Sequence, residues 1–551
     1  MSTEPASPGT VPAGTDAPVE QAAAGEPSAP SELEGTAPPA GGTVPPAHAP
    51  PANAAENDTE APAQGSEQAS QPSMVAESSA PAPDTAGAST TEVLDEEDEM
   101  PPSLRSDYVP KAPTPTVARD FMRMFAGKNL RRVTYFYHEE IGNLPSVSPV
   151  VPKNFRHKLT WHLLKAYNLT DTPLLQVRTP KPLPLQLMTR FHSDDYINTV
   201  ATLSRRPHLR PGQYADQKLR YKLTGVNTVR QGTMEQSQVI AGASIEAAQL
   251  LTKGRTDVAI NFMGGYQHAR MDEASGGCFV NDSVLACLEL LTKFDRVLYV
   301  NMGYFHSDAV EEAFYMSNRV FTLSFNPVPD ENICKFPGTG KSRDSGHSTG
   351  KRFNFNVPFE RGCGDNTYAK VFQFTIRHVV QKYNPQVIVC SAGTGILGGT
   401  RAGYFNVSSE GYARCMRFLR DFRTPLLLLG GTSGSCLSDT AKAWAVSTAQ
   451  FLCAEDKLPP RIPENPYSDL FFPQDTIHTD KRLVEDENSK SYIDETLEHL
   501  MDTLSMIRIP GAIRRKQLQQ SARGNVSKIY SPNLVDDDKN TSRPEKKQKL
   551  N

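Results

Sequence analysis

The residues of this chain best suited to chemistry lie in four glycine-bordered loops: MGGYQHA with Gln267 and His268, MGYFHSDA with His306 and Asp308, SAGTGILGGTRAG, and GGTSGS. Imidazole titrates near neutral pH, and imidazole and carboxylate both serve as proton carriers or metal ligands. Each loop follows a short apolar run. If those runs are parallel strands, the loops gather in the crevice beyond the carboxyl ends of the sheet. In the run RVLYVNMGYFH the alternate residues Gly303 and Phe305 share a face, because strand side chains repeat every two residues, and neither offers a donor atom. The Gly-Gly pairs alone are weak support for a phosphate cradle. The eight cysteines show no C-x-x-C spacing and sit mostly in apolar runs, as small buried residues of a reducing compartment do.

The elements that must position these loops are legible from about Arg131. Strand-like runs are VTYFY near 133, DVAINF near 257, RVLYVNM near 296, VFTLSF near 320, FNFNVPF near 353, VIVCSAG near 387 and TPLLLLGG near 424. Helical patterns start at Ser283, Asn366 and Glu410, with Asp365 and Ser408 or Ser409 as expected caps. Near-continuous apolar strands alternating with helices predict a parallel sheet covered on both faces, an α/β chain of three layers.

Composition divides the rest. Residues 1–100 hold 18 Asp or Glu and no Lys or Arg, and are rich in Pro and Ala. Such a segment buries too little apolar surface to offset its ordering entropy and is expected to be a disordered tether, residues 1–115. The remainder carries 58 basic against 44 acidic residues. A folded domain is expected over 116–459, a packed extension over 460–510 and a flexible basic tail over 511–551. Arg514, Arg515 and Lys516, and then RPEKKQKLN, read equally as a nuclear-import signal, a nucleic-acid patch or a merely solvated tail. No signal peptide opens the chain and no apolar run is long enough to span a bilayer, so a soluble intracellular protein is expected.

One set of motifs runs in order from Val133 to Ile507: YHEEIGN, RFHSDDYI, DVAINF with GGYQHA, EASGGCFVND, RVLYV with HSDAVEEAFY, FPGTG, GGTRAGYFNVSSEGYARC, and LLLLGG before Trp444. This combination and spacing resembles the class I histone deacetylases. The resemblance implies one three-layer α/β/α domain of arginase/deacetylase type with a mostly parallel sheet. It also implies a mechanism to look for, in which zinc held by one His and two Asp activates water, two His each backed by Asp move protons, and a Tyr stabilises the oxyanion.

Carried across residue by residue, that machinery is missing. The three ligand positions fall on Gly303, Phe305 and Gly395, so zinc is expected to be absent. The first His has become Gln267 and its orienting Asp Asn301, a matched change expected to exchange amide hydrogen bonds. His268 and Asp308 remain as a dyad, while the oxyanion Tyr falls on Ser435. The Phe that walls the substrate tunnel is Gly277, with Phe336 opposite, and a rim Asp falls near Val226. His306 and Asp308 are not expected to step in as ligands, since neighbouring residues point oppositely. Of the family's inositol-phosphate cations Lys153 and Arg401 match, and a third position reads Ser438.

The expected function is that of a catalytically inactive homologue serving as a nuclear scaffold or regulatory subunit of a chromatin corepressor complex. Its expected partners are that complex's subunits, an active paralogue and histones, with no membrane and no sequence-specific DNA. A lysine deacetylase with a rebuilt site, a metal-free hydrolase using His268 and Asp308, and an acetyl-lysine or small-ligand binding module are the alternatives.

Overall fold

The computed structural model describes residues 131–509, except Pro152, 207–211, 331–334, Arg401, Ser433, Ser435 and 456–457. The expected tails, and residues 116–130, lie outside it. Eight strands form one sheet: β1 (Val133–Phe136), β2 (Leu175–Arg178), β3 (Val258–Asn261), β4 (Val297–Asn301), β5 (Val320–Pro327), β6 (Asn354–Phe359), β7 (Val387–Ser391) and β8 (Leu426–Leu429). Their order is β2-β1-β3-β8-β7-β4-β5-β6, and every pairing is parallel. Seven strands match the expected runs. The eighth, β2, escaped notice because LQVR is a four-residue edge strand with little apolar content.

Period-two alternation sends each strand into two cores. Leu298 and Val300 of β4 face a cluster that includes Ile388, Leu428 and Trp444, whereas Val297 and Tyr299 face one that includes Ala259, Val389 and Leu427. Helices cover both faces: α1 (Phe155–Ala166), α2 (Thr233–Thr252), α3 (Asp282–Leu290), α4 (Asp308–Phe314), α5 (Asp365–Tyr383), α6 (Ser409–Asp421), α7 (Leu437–Phe451) and α8 (Lys490–Ser505). The three helices expected from sequence each begin one residue earlier than read. Ser408 caps α6, its Oγ accepting from the Gly411 amide at 3.1 Å. Asp365 is not a cap but the first residue of α5, and its carboxylate accepts from the Ser408 amide at 2.7 Å and hydroxyl at 2.8 Å, bracing that cap. Past residue 460 the chain lies against the sheet domain. The Thr479 amide donates to Ser409 Oγ at 2.9 Å, Lys442 to the Gln474 carbonyl at 2.8 Å, and Leu500 and Leu504 of α8 are buried. Among the described residues no helix is long and apolar enough to cross a membrane.

Candidate active site

Parallel strands deliver the loops after β3, β4, β7 and β8 to one end of the sheet. The β3 loop, Phe262–Ala269, is pinned from below by Asp282 at the start of α3. Its carboxylate accepts from the amides of Gly265 at 2.9 Å and Tyr266 at 2.7 Å and from Ser244 Oγ at 2.5 Å. Complete burial outweighs these donors and pushes the Asp282 carboxyl up to about 6. Gly265 holds φ +97°, and a Cβ there would sit 2.4 Å from the Gly431 amide nitrogen. Only glycine lets the β3 and β8 loops cross that closely.

This arrangement presents Gln267 and His268 side by side, in different company. His268 Nδ1 is 2.7 Å from Asp308 Oδ1, and Nε2 is 3.1 Å from Thr432 Oγ1 in the β8 loop. The Arg270 guanidinium lies 3.6 Å from the other Asp308 oxygen. Burial alone would raise the Asp308 carboxyl. The hydrogen bond from His268, with the charges of His268, His306 and Arg270, outweighs burial and holds it below the usual range. The dyad expected from sequence is therefore assembled and buried, with His268 only 1% exposed.

Gln267 and Asn301 do not pair with each other as expected. Both donate to one acceptor, the Phe305 carbonyl, from Gln267 Nε2 at 3.2 Å and Asn301 Nδ2 at 2.8 Å. Gln267 Oε1 accepts from Tyr299 at 3.0 Å and Ser391 at 3.1 Å. Asn301 Nδ2 lies 2.9 Å from Ser324 Oγ, and its Oδ1 accepts from the Gly303 amide at 3.0 Å. The reason is that β4 stops at Asn301. Residues 302–307 form a loop rather than a strand end, and the loop turns the Phe305 carbonyl inward between the two amides.

The Phe305 ring then meets Tyr304, His268 and Phe336 at centroid distances of 5.0, 5.9 and 5.5 Å, and Phe336 lies 4.9 Å from His268. Phe336, the expected tunnel wall, reaches across to Gly276, where a Cβ would be 2.4 Å from its ring. Gly277, at φ +79°, leaves room that Ser148 and Val150 fill. Val226, near the expected rim position, is exposed, and its carbonyl accepts from Ser148 Oγ at 2.6 Å. Gly395 is buried in the short turn Thr394–Ile396.

Residues 151–451 match the histone deacetylase domain. The chain belongs to the histone deacetylase family. It is 38% identical over 377 residues to Histone deacetylase 3 of Oryza sativa subsp. japonica, a match covering 68% of this chain and 72% of the relative. Identity to Histone deacetylase 1 of the same plant is 40% over 380 residues, 69% and 70% of the two chains. Histone deacetylase 1 of Homo sapiens is 34% identical over 392 residues, 71% of this chain and 79% of the relative.

The three positions expected from the sequence resemblance to carry metal ligands, Gly303, Phe305 and Gly395, supply a benzene ring and no donor side chain, and such a set does not fit zinc. Neighbouring His306 is turned elsewhere, bonded to Thr339 Oγ1 at 2.8 Å and Glu311 Oε2 at 2.9 Å, while Asp308 serves His268. Among the described residues no three His, Cys, Asp or Glu side chains are grouped to hold a metal. Ser435 and Arg401 lie outside the described residues, so neither the oxyanion position nor the pair of Lys153 with Arg401 is placed. Lys153 is exposed ahead of α1, and Ser438 opens α7 with its hydroxyl 3.2 Å from Cys436 Sγ. Six of the cysteines are buried and in no disulfide, Cys436 is exposed, and Cys334 lies outside the described residues.

Sequence reasoning missed Thr432, Arg270 and the His306–Glu311 pair. The HSDAVEEAFY motif places His306 and Glu311 five residues apart across a helix start, which is the signal that pairs them. Thr432 carries no such signal, since its partner is 164 residues away.

Proposed function

We propose that the chain is a catalytically inactive histone deacetylase homologue, a nuclear scaffold or regulatory subunit of a chromatin corepressor complex, built to fold without zinc. One observation carries this reading. The backbone carbonyl of Phe305 is held by two neutral amides, and its ring packs on His268, where the family's pattern puts a metal and its charged ligands. Carboxylates left there without a metal would repel one another in a buried site. Neutral groups with matched hydrogen bonds remove that cost. The basic clusters of residues 514–516 and 543–549 serve nuclear entry on this reading, and the intact surface of the fold serves partner subunits. Purified full-length chain is expected to carry well below one equivalent of zinc and to leave an acetyl-lysine peptide unchanged. Deacetylation lost to a chelator or a hydroxamate would overturn the proposal. Co-purification of chromatin-complex subunits from native cells tests its second half.

A second reading rests on the Thr432–His268–Asp308 geometry, which matches a hydroxyl, base and orienting carboxylate of a metal-free hydrolase. The Phe336 ring edge over His268 and the burial of Thr432 at 4% exposure weigh against it. Chelator-resistant hydrolysis of an acetyl ester, abolished in Thr432→Ala, would establish that reading. No turnover by the wild type retires it.

A further inference from the structure

Helix α5 packs between α6 and α8. On one side its Arg377 stacks on Phe418 of α6 at 5.7 Å, and on the other its Lys382 reaches the Ser505 carbonyl at the end of α8. Between α5 and α8 runs a groove of about 410 Å³ lined by Phe374, Asp494, Leu497, Glu498, Met501 and Asp502. Phe374 and Leu497 are half-buried, and Met501 is 41% exposed. Phe374 to Lys382 and Leu497 to Ser505 are both eight residues, so the two helices run parallel with Phe374 level with Leu497.

Helical spacing then sorts the charges to opposite edges of the groove. Round α5, Lys370 and Arg377 lie roughly 40° and 60° to one side of Phe374. Round α8, Asp494 and Glu498 lie roughly 60° and 100° to the other side of Leu497, with Asp502 further still. The face therefore has an acidic edge on α8, a basic edge on α5 and an apolar strip of Phe374, Leu497 and Met501 between them. Asp494 is paired with Lys490, whereas Lys370, Arg377, Glu498 and Asp502 have no ion pair among the described residues. Counter-charges nearby are engaged elsewhere, since Asp486 accepts from Thr367 Oγ1 at 2.6 Å and Glu410 lies 3.6 Å from Arg417. Arg508, past the end of α8, pairs with neither acid.

We propose that this face is the interface of a homodimer, in which α5 and α8 of one copy lie on α8 and α5 of a second copy about a two-fold axis running along the groove. That operation exchanges the edges without changing their level, as an isologous contact requires. Arg377 meets Glu498 and Asp502 of the second copy, Lys370 meets its Asp494, and the apolar strip packs on its own counterpart. A two-fold axis across the helices would set acid on acid, so the charge pattern selects the parallel arrangement. A partner of a single charge sign would satisfy one edge and oppose the other, which is the reason a second copy fits best. Side by side, helices about 28 and 24 Å long present roughly 500 to 600 Å² per copy, and the pair buries about 1,100 Å², the low end for a specific interface. Exposed charges set its register, so the dimer is weak and salt-sensitive.

Sedimentation of the full-length protein at micromolar concentration tests this. At low salt the expected mass is twice the 60.5 kDa of one chain, falling to one chain at high salt. Reversing the acidic edge (Glu498→Lys with Asp502→Lys) or the basic edge (Lys370→Glu with Arg377→Glu) should weaken self-association by about 100-fold or more, because like charges then face each other. Mixing the two variants should restore a dimer, since each then offers the charge the other lacks. A wild type that stays monomeric at low salt, a dimer indifferent to both reversals, or a mixture that fails to pair would each overturn the proposal. Where a variant folds poorly, wild-type protein mixed as isotopically light and heavy chains decides the matter. A zero-length carbodiimide cross-link from Lys370 of one chain to Asp494 or Glu498 of the other is expected, and its absence between light and heavy chains would sink the interface.

Discussion

The two sides of the candidate site met the same problem, buried polar atoms at the end of a sheet, with opposite solutions. On the β4 side Gln267, Asn301 and Ser324 are neutral; the two amides donate to the Phe305 carbonyl, and Ser324 Oγ accepts from Asn301. On the α4 side the charges stayed, with Asp308 shared by His268 and Arg270, and Glu311 bonded to His306 and, at 3.0 Å, to Asn356 Nδ2. On that side each carboxylate keeps a cationic or ring-nitrogen partner and a further donor. Around the Phe305 carbonyl, where amides supply the partners, the side chains are uncharged.

Restoring charge to the neutral side should cost most. Asn301→Asp puts an unpaired carboxylate at a site with no solvent exposure, facing the Phe305 carbonyl, and is expected to destabilise by about 4 kcal/mol near neutral pH. The carboxyl should be raised there, so the loss should shrink as the pH falls and the protonated group donates to Phe305. Urea unfolding at two pH values checks both, and a loss no larger than that of Asp308→Asn would break the contrast between the sides.

Asp282 sharpens the comparison through pH. Its folded pKa of about 6 lies above the unfolded value of 3.8, so its favourable contribution is full below 3.8 and is lost as pH rises through about 6. That difference corresponds to at most about 3 kcal/mol. Asp282→Asn should therefore gain stability relative to the wild type between those pH values, and parallel stability curves would contradict the assignment. Asp308 has the opposite sign. Its carboxyl is lowered, so its contribution holds above 3.8 and disappears as the pH falls through the folded value.

Asp308→Asn removes one charged hydrogen bond from a satisfied network and is expected to cost about 2 kcal/mol near neutral pH by thermal or urea unfolding. Unchanged stability would mean that Thr432 alone suffices to hold His268. At the bottom of the scale, Lys153→Ala should shift stability by less than about 0.5 kcal/mol, as exposed substitutions do. A larger loss measured with an inositol polyphosphate present, and absent without it, would reveal that Lys153 is a ligand.

Where sequence reading succeeded, the cause was local. Apolar runs gave seven of eight strands, and motif order placed His268 beside Asp308, because the loops sit at fixed distances from strand ends. It failed where a backbone atom was the partner. Nothing in the side-chain letters of Gln267 and Asn301 reveals that both would turn to the Phe305 carbonyl, which depends on β4 ending at Asn301. Distant partners such as Thr432 were equally hidden, since only the adjacency of β3 and β8 brings them to His268. Edge strand β2 lacked the apolar density that betrayed the others.

The strand order has a consequence for how the molecule is made. β2, β1 and β3 pair among themselves, as do β4, β5 and β6, but β8 and β7 are what join the two groups. During synthesis two half-sheets can form early, each with one edge bare, while the closing strands are still unmade. At ribosomal speed the 168 residues from Asn261 to Leu429 take roughly 10 to 30 s. The edge of β3 waits that long for β8, whereas the edge of β4 waits for β7 over the 90 residues from Asn301 to Ser391, roughly 5 to 20 s; meanwhile both edges invite wrong partners, and His268 and Asp308 belong to separate bodies. Stalled nascent chains released to 420 and to 460 residues should therefore differ sharply in protease resistance and in chaperone retention, with the shorter one held.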